Sequence, residues 1–340
     1  MKRLGNIYNI IASMDNLTMA DSKARKGKLR SYGVRLHDEN RDHNIKELHE
    51  ALVSGTFKTS PYHVYTIFTT KERKIYRLPY YPDRILHHAI MNVLEPVWVS
   101  VFTHDSYSCI KGRGIHLAAK KLRKCLRKDP EETAFCLKLD IKKFYPSIDH
   151  DILKALVRKK IKDRKLLALL DEIIDSADGI PIGNYLSQYF ANLYLSYFDH
   201  WIKEVKKVKH YYRYADDMVV LSANKEYLHT LLSEINNYLQ QELKLSVKEN
   251  WQVFPVKSRG IDFVGYVFYH HHILLRKSIK KRFCQKVAQL RKKKVEPQEI
   301  QRRTASWYGW AKHCNSVNLL NKIQYESTLR PTTGQTNTRQ

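Results

Sequence analysis

Tyr211-Tyr212-Arg213-Tyr214-Ala215-Asp216-Asp217-Met218-Val219-Val220-Leu221 is an apolar, β-prone run broken by two adjacent aspartates. An aspartate pair ordinarily marks a solvated turn. Here an apolar strand flanks it on each side, so the run predicts a hairpin that projects both carboxylates from a sheet edge. Carboxylates held together in this way repel each other, and a divalent cation relieves the repulsion. A second stretch, Phe135-Cys136-Leu137-Lys138-Leu139-Asp140-Ile141, has the same form: a short apolar strand ending in a carboxylate. If the two stretches lie side by side, Asp140, Asp216 and Asp217 converge. Three such groups suit two hard cations about 3.5–4 Å apart. That arrangement serves phosphoryl transfer, which asks of a protein mainly positioning and charge neutralisation.

Outward from these stretches, helices and strands alternate without a regular βαβ rhythm, which predicts an α+β fold. Residues 1–55 read as mainly helical, and 62–79 as an extended hairpin around the polar 70–74. Helices are expected at 83–101, at about 115–128, after Asp149, at about 186–205 and at 225–243. Residues 178–184, Asp-Gly-Ile-Pro-Ile-Gly-Asn, form a turn-rich break. Strands are expected at 251–256 and 261–269. The basic segment 275–325 reads as helical, and the polar tail from Thr328 as disordered. Asp149 stands where its side chain would cap the following helix. His270-His271-His272 reads as a hairpin tip, since neighbours on a strand point to opposite faces and no fourth ligand is evident.

Sixty Lys and Arg against 34 Asp and Glu give a formal charge of +26. Residues 271–303 alone hold 12 basic residues against two acidic ones, Glu296 and Glu299. Such an excess self-repels unless a polyanion neutralises it, and nucleic acid is the usual partner. A membrane surface is the competing partner. No lipidation motif, amphipathic anchor, apolar span or signal-peptide pattern supports it. Five cysteines at scattered spacings, without a C-x-x-C pair, read as buried or incidental thiols of a reducing cytoplasm.

Tyr214-Ala215-Asp216-Asp217 resembles the Y-x-D-D signature of reverse transcriptases, and four further motifs stand in that family's order. Leu139-Asp140-Ile141 with Phe144-Tyr145 is similar to the first catalytic motif. Gly179 to Asn184 with Ser187-Gln188 is similar to the template-and-nucleotide motif. Gly260-Ile261-Asp262-Phe263-Val264-Gly265-Tyr266 is similar to the primer-grip hairpin. Leu78-Pro79 to Asp83-Arg84, then Ser106-Tyr107 to Gly112-Arg113-Gly114 and His116, resemble the fingers motifs. Ile180-Pro181-Ile182-Gly183-Asn184 and Phe190-Ala191-Asn192 resemble, more narrowly, the reverse transcriptases of diversity-generating retroelements. Leu274-Leu275-Arg276-Lys277-Ser278 and Ala305-Ser306-Trp307 do so as well. Most other relatives carry Gln-Gly and Ser-Pro where this chain has Ile182-Gly183 and Ser187-Gln188.

The resemblance implies a right-hand polymerase with a mixed antiparallel palm sheet and a helical thumb. Residues 1–60 would be a basic helical extension joined to fingers at 61–110 and 149–186. The palm would hold 111–148 and 187–270, the thumb 271–325, and 326–340 would be a disordered tail. It implies an RNA-directed DNA polymerase in the cytoplasm, copying a template-repeat RNA into cDNA with frequent errors at template adenines. Two Mg²⁺ ions, with Mn²⁺ as a substitute, would sit on Asp140, Asp216, Asp217 and the Ile141 carbonyl. Tyr145 would be the steric gate against ribonucleotides. Ile182 and Gly183 would face the incoming nucleotide, Ile182 offering apolar contact where a Gln would hydrogen-bond. Lys74 and Arg84, with Lys71 and Arg73 as further candidates, would meet the triphosphate, and Lys248 the leaving pyrophosphate. Arg113, Ser187, Gln188, Tyr214, Gly265 and Tyr266 would contact template or primer. Implied partners are the template RNA, the cDNA/RNA duplex, dNTPs and a pentameric accessory protein. The alternatives are another bacterial reverse transcriptase of group II intron, retron or defence type, and a catalytically silent RNA-binding scaffold.

Overall fold

The computed structural model describes residues 3–68 and 72–323. Lys71 and the polar tail lie outside that range. In chain order, four short helices come first: α1 (Tyr8–Ala12), α2 (Met14–Ala24), α3 (Tyr32–Asp38) and α4 (Arg41–Ser54). The antiparallel hairpin β1 (His63–Phe68) and β2 (Glu72–Arg77) follows. A π-turn at Tyr80–Arg84 leads into α5 (Ile85–Val99), and α6 spans Ile115–Lys128. Next come β3 (Phe135–Asp140), α7 (His150–Arg158), α8 (Arg164–Ile174) and α9 (Tyr185–His200). The hairpin β4 (His210–Tyr214) and β5 (Asp217–Ser222) precedes α10 (Lys225–Leu243), β6 (Gln252–Pro255) and α11 (Val256–Arg259). The last elements are β7 (Ile261–Phe263), β8 (Tyr266–Phe268), β9 (Ile273–Leu275), α12 (Lys277–Lys292), α13 (Pro297–Ala311) and α14 (Val317–Lys322). A four-stranded sheet takes the order β4-β5-β3-β6, and β7-β8-β9 form an antiparallel meander. The mixture of helices and strands is the one the sequence predicts.

The chain divides into two compact units. The first comprises 1–112, 139–218 and 231–251. Its helices α5 and α9 are buried on nearly every face, so apolar residues run around most of each helix rather than along one stripe, with buried polar residues such as His87, Asn192 and Asp199 among them. Asn16 locks α2 to α5, its amide donating to the Ile11 and Ala89 carbonyls at 2.9 and 3.1 Å. Asp149 caps α7 as expected: its Oδ1 accepts from the Ile152 amide at 3.0 Å, and its Oδ2 meets Lys244 Nζ at 2.6 Å.

The second unit comprises 113–138, 219–230 and 252 onward. Phe283, Val287 and Leu290 of α12 pack with Ile300, Tyr308 and Ala311 of α13 and Leu320 of α14. Helix α6 buries Ala118, Ala119, Leu122 and Leu126 and turns its basic residues to solvent. The β7–β8 turn closes on Gly265, whose φ is +86°. A Cβ there would stand 2.0 Å from the Trp310 ring, so only glycine fits. The Tyr266 hydroxyl donates to the Trp310 carbonyl at 3.0 Å beside that ring. The three histidines 270–272 form the tip between β8 and β9, as expected.

Candidate active site

Asp140 closes β3 and Asp217 opens β5, the neighbouring strand. Asp216 lies in the turn between β4 and β5, half-buried, with its carboxyl pushed up to about 7. Burial is the main cause; the charge of Asp140, a hydrogen bond with it and the charge of Asp217 add to it. The two segments therefore meet, and two carboxyl groups share a place where both cannot readily ionise. The Ile141–Val247 bridge fixes the Asp140 side of the site. Its hydrogen bonds run from the Lys248 amide to the Asp140 carbonyl at 2.8 Å and from the Lys142 amide to the Ser246 carbonyl at 2.9 Å. This pattern leaves the Ile141 carbonyl turned to the other edge of the strand. It also brings Lys248 Nζ to 3.6 Å from Asp140 Oδ2.

The turn itself is held from below. Ala215 adopts φ +56°, an unfavourable region for a side-chain-bearing residue. Arg213 Nη1 donates to the Ala215 carbonyl at 3.0 Å. The same guanidinium is fully buried and grips Asp199 through Nε to Oδ1 at 2.7 Å and Nη2 to Oδ2 at 2.6 Å. Ser106 Oγ and the Tyr211 hydroxyl each donate to Asp199 at 2.7 Å, and Asn192 Oδ1 accepts from Arg213 at 3.2 Å. Neither Arg213 nor Asp199 belongs to the residues that the sequence singles out. Their signal in sequence is a pair of opposite charges, each interrupting an otherwise apolar run.

Tyr145 stands in a 3₁₀ turn after Asp140. Burial pushes its hydroxyl well above the usual phenol range, and Cys109 and Asp216 add to the push. Its carbonyl accepts from the Ile180 amide at 2.9 Å, while the Ile182 carbonyl accepts from the Tyr76 amide at 2.9 Å. The loop 179–184 is thus pinned at one end to Tyr145 and at the other to β2. Gly179 and Gly183 make the approach possible: a Cβ would lie 2.6 Å from the Pro146 carbonyl oxygen at Gly179, and 2.7 Å from the Tyr76 carbonyl oxygen at Gly183.

Arg84 is desolvated, and its Nε is buried without a hydrogen-bond partner among the described residues. Burial pushes its guanidinium down; the charge of nearby Arg77 adds to this, and Tyr80 opposes it. Lys28 is lowered by burial, then by Arg84 and Arg77. Three cations therefore crowd one place, of which the sequence names Arg84 alone. Lys74 is exposed on β2, one strand position away from Ile75 and so on the opposite face from Arg77. Ser187 is buried and Gln188 exposed on the first turn of α9, and Tyr214 is half-buried at the end of β4. Arg113, Gly265 and Tyr266 belong to the second unit.

A family model described as reverse transcriptase (RNA-dependent DNA polymerase) matches residues 65–268. The chain belongs to the reverse transcriptase family. This reverse transcriptase is 24% identical over 279 residues to protein YkfC of Escherichia coli K12, covering 68% of the chain and 71% of that protein. It is 21% identical over 300 residues to the group II intron-encoded protein LtrA of Lactococcus lactis subsp. cremoris. That match covers 66% of the chain and 49% of LtrA, so the reverse transcriptase spans about half the length of this relative. In fold it is similar to apo telomerase from Candida tropicalis, with a TM-score of 0.50 at 12% identity, over 80% of this chain and 60% of that one.

In this reverse transcriptase the donor set offered by Asp140 and Asp216 fits a hard divalent cation. Both supply carboxylate oxygens, and burial together with the Asp140 charge makes the Asp216 carboxylate costly to ionise, a cost a cation would offset. The expected convergence of three carboxylates is met in part. Among the described residues no group of three or more His, Cys, Asp and Glu side chains is closed enough to hold an ion. No described helix is long and apolar enough to cross a membrane.

Proposed function

We propose that this reverse transcriptase copies RNA into DNA by two-metal nucleotidyl transfer on Asp140, Asp216 and Asp217. The observation that carries the reading is the meeting of Asp140, at the end of β3, with Asp216, in the turn before the adjacent β5, where burial and then the Asp140 charge push the Asp216 carboxyl up to about 7. Magnesium bound there would neutralise the carboxylates and the charge that builds on the reacting phosphate. The chain's own residues do the rest. Asp140, Asp216, Asp217 and the Ile141 carbonyl hold the metal ions. Arg84, with the neighbouring Lys28 and Arg77, neutralises the triphosphate. Tyr145 closes the sugar pocket against a 2′-hydroxyl. Lys248, beside Asp140, is placed to give a proton to leaving pyrophosphate.

The same reading assigns fingers to 61–110 and 149–186, with 1–60 as a basic extension joined to them, palm to 111–148 and 187–270, and thumb to 271–325. Arg113, Ser187, Gln188, Tyr214, Gly265 and Tyr266 then touch template or primer. We place the enzyme with diversity-generating retroelements because Ile182 and Gln188 stand where most relatives carry Gln and Pro. Its products are then cDNAs mutated at template adenines, made with a pentameric accessory protein. The likeness to LtrA favours a second reading, a group II intron enzyme. Primer extension on an RNA template with Mg²⁺ and dNTPs tests the activity against an Asp216→Ala/Asp217→Ala variant. Sequencing the product separates the two readings: errors concentrated at template adenines support the retroelement enzyme, and an even spectrum supports the intron enzyme.

A further inference from the structure

Helix α6 carries His116, Lys120, Arg123 and Arg127 at successive spacings of four, three and four residues, hence on one face. All four are exposed, while the opposite face is buried. His116 and Lys120 with Arg123 line a cleft of about 450 Å³, closed by Ile273 of β9 and by Lys312 and His313 after α13. The imidazoles of His116 and His313 stack with centroids 3.9 Å apart. Among the described residues no carboxylate pairs with any of these cations, and Lys312 instead sits over the Tyr308 ring at 4.9 Å. Arg123 is lowered by burial and by the charge of Arg127, and His313 by burial, His116 and Lys312. The cleft is a run of like charge with nothing opposite it.

We propose that this cleft and the α6 stripe form a binding site for the phosphodiester backbone of a single polynucleotide strand, built wholly from the second unit. A single small anion would use one end of the stripe. From His116 to Arg127 the stripe runs about 16 Å at about 1.5 Å per residue, roughly five steps of about 3.4 Å along one strand. That length matches a polyanion. The apolar floor of Leu117, Ala119 and Ile273 lies in the same cleft and suits the sugar edge of the strand. The charged and titratable groups facing the histidines are Lys120 and Arg123 from α6 and Lys312 after α13; β9 contributes the uncharged Ile273. A phosphate seated beside the stacked rings favours their charged form, against the burial that lowers both.

The site does not depend on the catalytic reading, so binding rather than synthesis tests it. The probe is a fluorescent 20-nucleotide single-stranded RNA, titrated into the full chain across a salt series. Lys120→Gln/Arg123→Gln/Lys312→Gln is expected to weaken binding on the order of 100-fold at 0.1 M salt. It should also flatten the log–log salt slope by about 2, at about 0.7 for each phosphate no longer neutralised. Lys292→Gln/Lys293→Gln/Lys294→Gln removes the same charge elsewhere and should change both far less. Inorganic phosphate should compete only at millimolar concentration. His116→Gln/His313→Gln should abolish the rise in affinity between pH 7.5 and 6. Equal losses in the two lysine- and arginine-depleted variants, with both melting as wild type, overturn the proposal. So does an unchanged salt slope in the first, which would leave the stripe to an acidic protein surface, or tight binding of inorganic phosphate alone.

Discussion

Asp199 and Asp216 are aspartates of the same unit, both withdrawn from water, and their surroundings are opposite. Asp199 has an acceptor site filled by Tyr211, one by Ser106 and two by the Arg213 guanidinium. Asp216 has Asp140 and Asp217 as neighbours, and its carboxyl rises to about 7. One site is complete without help. The other is left short of positive charge, and the base of the hairpin supplies the rigidity that keeps it so. Arg213 links them, since it neutralises Asp199 and holds the Ala215 carbonyl one residue before Asp216. A strong structural ion pair thus supports a turn in which a second carboxylate stays uncompensated.

Breaking the carboxylate cluster at Asp216 should, on the proposed function, have the largest effect. Asp216→Asn is expected to lower dNTP incorporation on the order of 10³-fold or more, the scale on which a charge-stabilising group counts in phosphoryl transfer. Primer extension measures it. The same variant should be more stable than wild type in EDTA at pH 8. A carboxyl raised from 3.8 to about 7 in the folded state binds its proton more tightly there than in the unfolded chain. Wild-type stability therefore falls as pH rises from about 4 to about 7, and stays reduced above that. Thermal melts should show Asp216→Asn ahead by about 2–4 °C at pH 8, and Mg²⁺ should close the gap by stabilising the wild type alone.

Breaking the structural half comes next. Arg213→Met leaves Asp199 buried and unpaired, at a cost of about 3–5 kcal/mol in urea unfolding. Arg213→Met/Asp199→Leu should recover much of that stability without recovering activity, because the Ala215 carbonyl is still unheld. Full recovery of activity in the double variant would separate the turn from its support. Smaller effects belong to the pocket. Tyr145→Val should raise rNTP incorporation roughly 10- to 100-fold relative to dNTP, within the range one steric or hydrogen-bonding group supplies. Ile182→Gln should lower misincorporation opposite template adenine by a few fold, read by sequencing extension products; an unchanged error spectrum would remove Ile182 from fidelity.

The meeting of Asp140 with Asp216 was legible in sequence because its signal is local. Carboxylates at the ends of apolar strands stand out, and so do the cap at Asp149 and the histidine tip. The supporting half was not, because Arg213 and Asp199 lie on different elements and their pairing depends on how β4 sits against α9. The link from Tyr76 to Ile182 escaped for the same reason: a strand amide meeting a loop carbonyl leaves no pattern in either segment. Face assignment on β2 was a further gap. Lys74 and Arg77 are near neighbours in sequence, yet the pleat sends them to opposite faces, and Arg77 is the one that meets Arg84. The stacked His116 and His313 are nearly two hundred positions apart, beyond the reach of any spacing rule.

The notch at Gly265 has a consequence for anyone exchanging segments with relatives. Trp310 fills the volume a side chain would need, and its carbonyl takes the hydroxyl of Tyr266, so turn and helix fit as key and ward. A chimera that imports the C-terminal helices without the matching turn, or the turn without the helices, would seat the indole against a foreign Cβ. Grafts should therefore carry residues 261–311 as one cassette, with the junctions outside it.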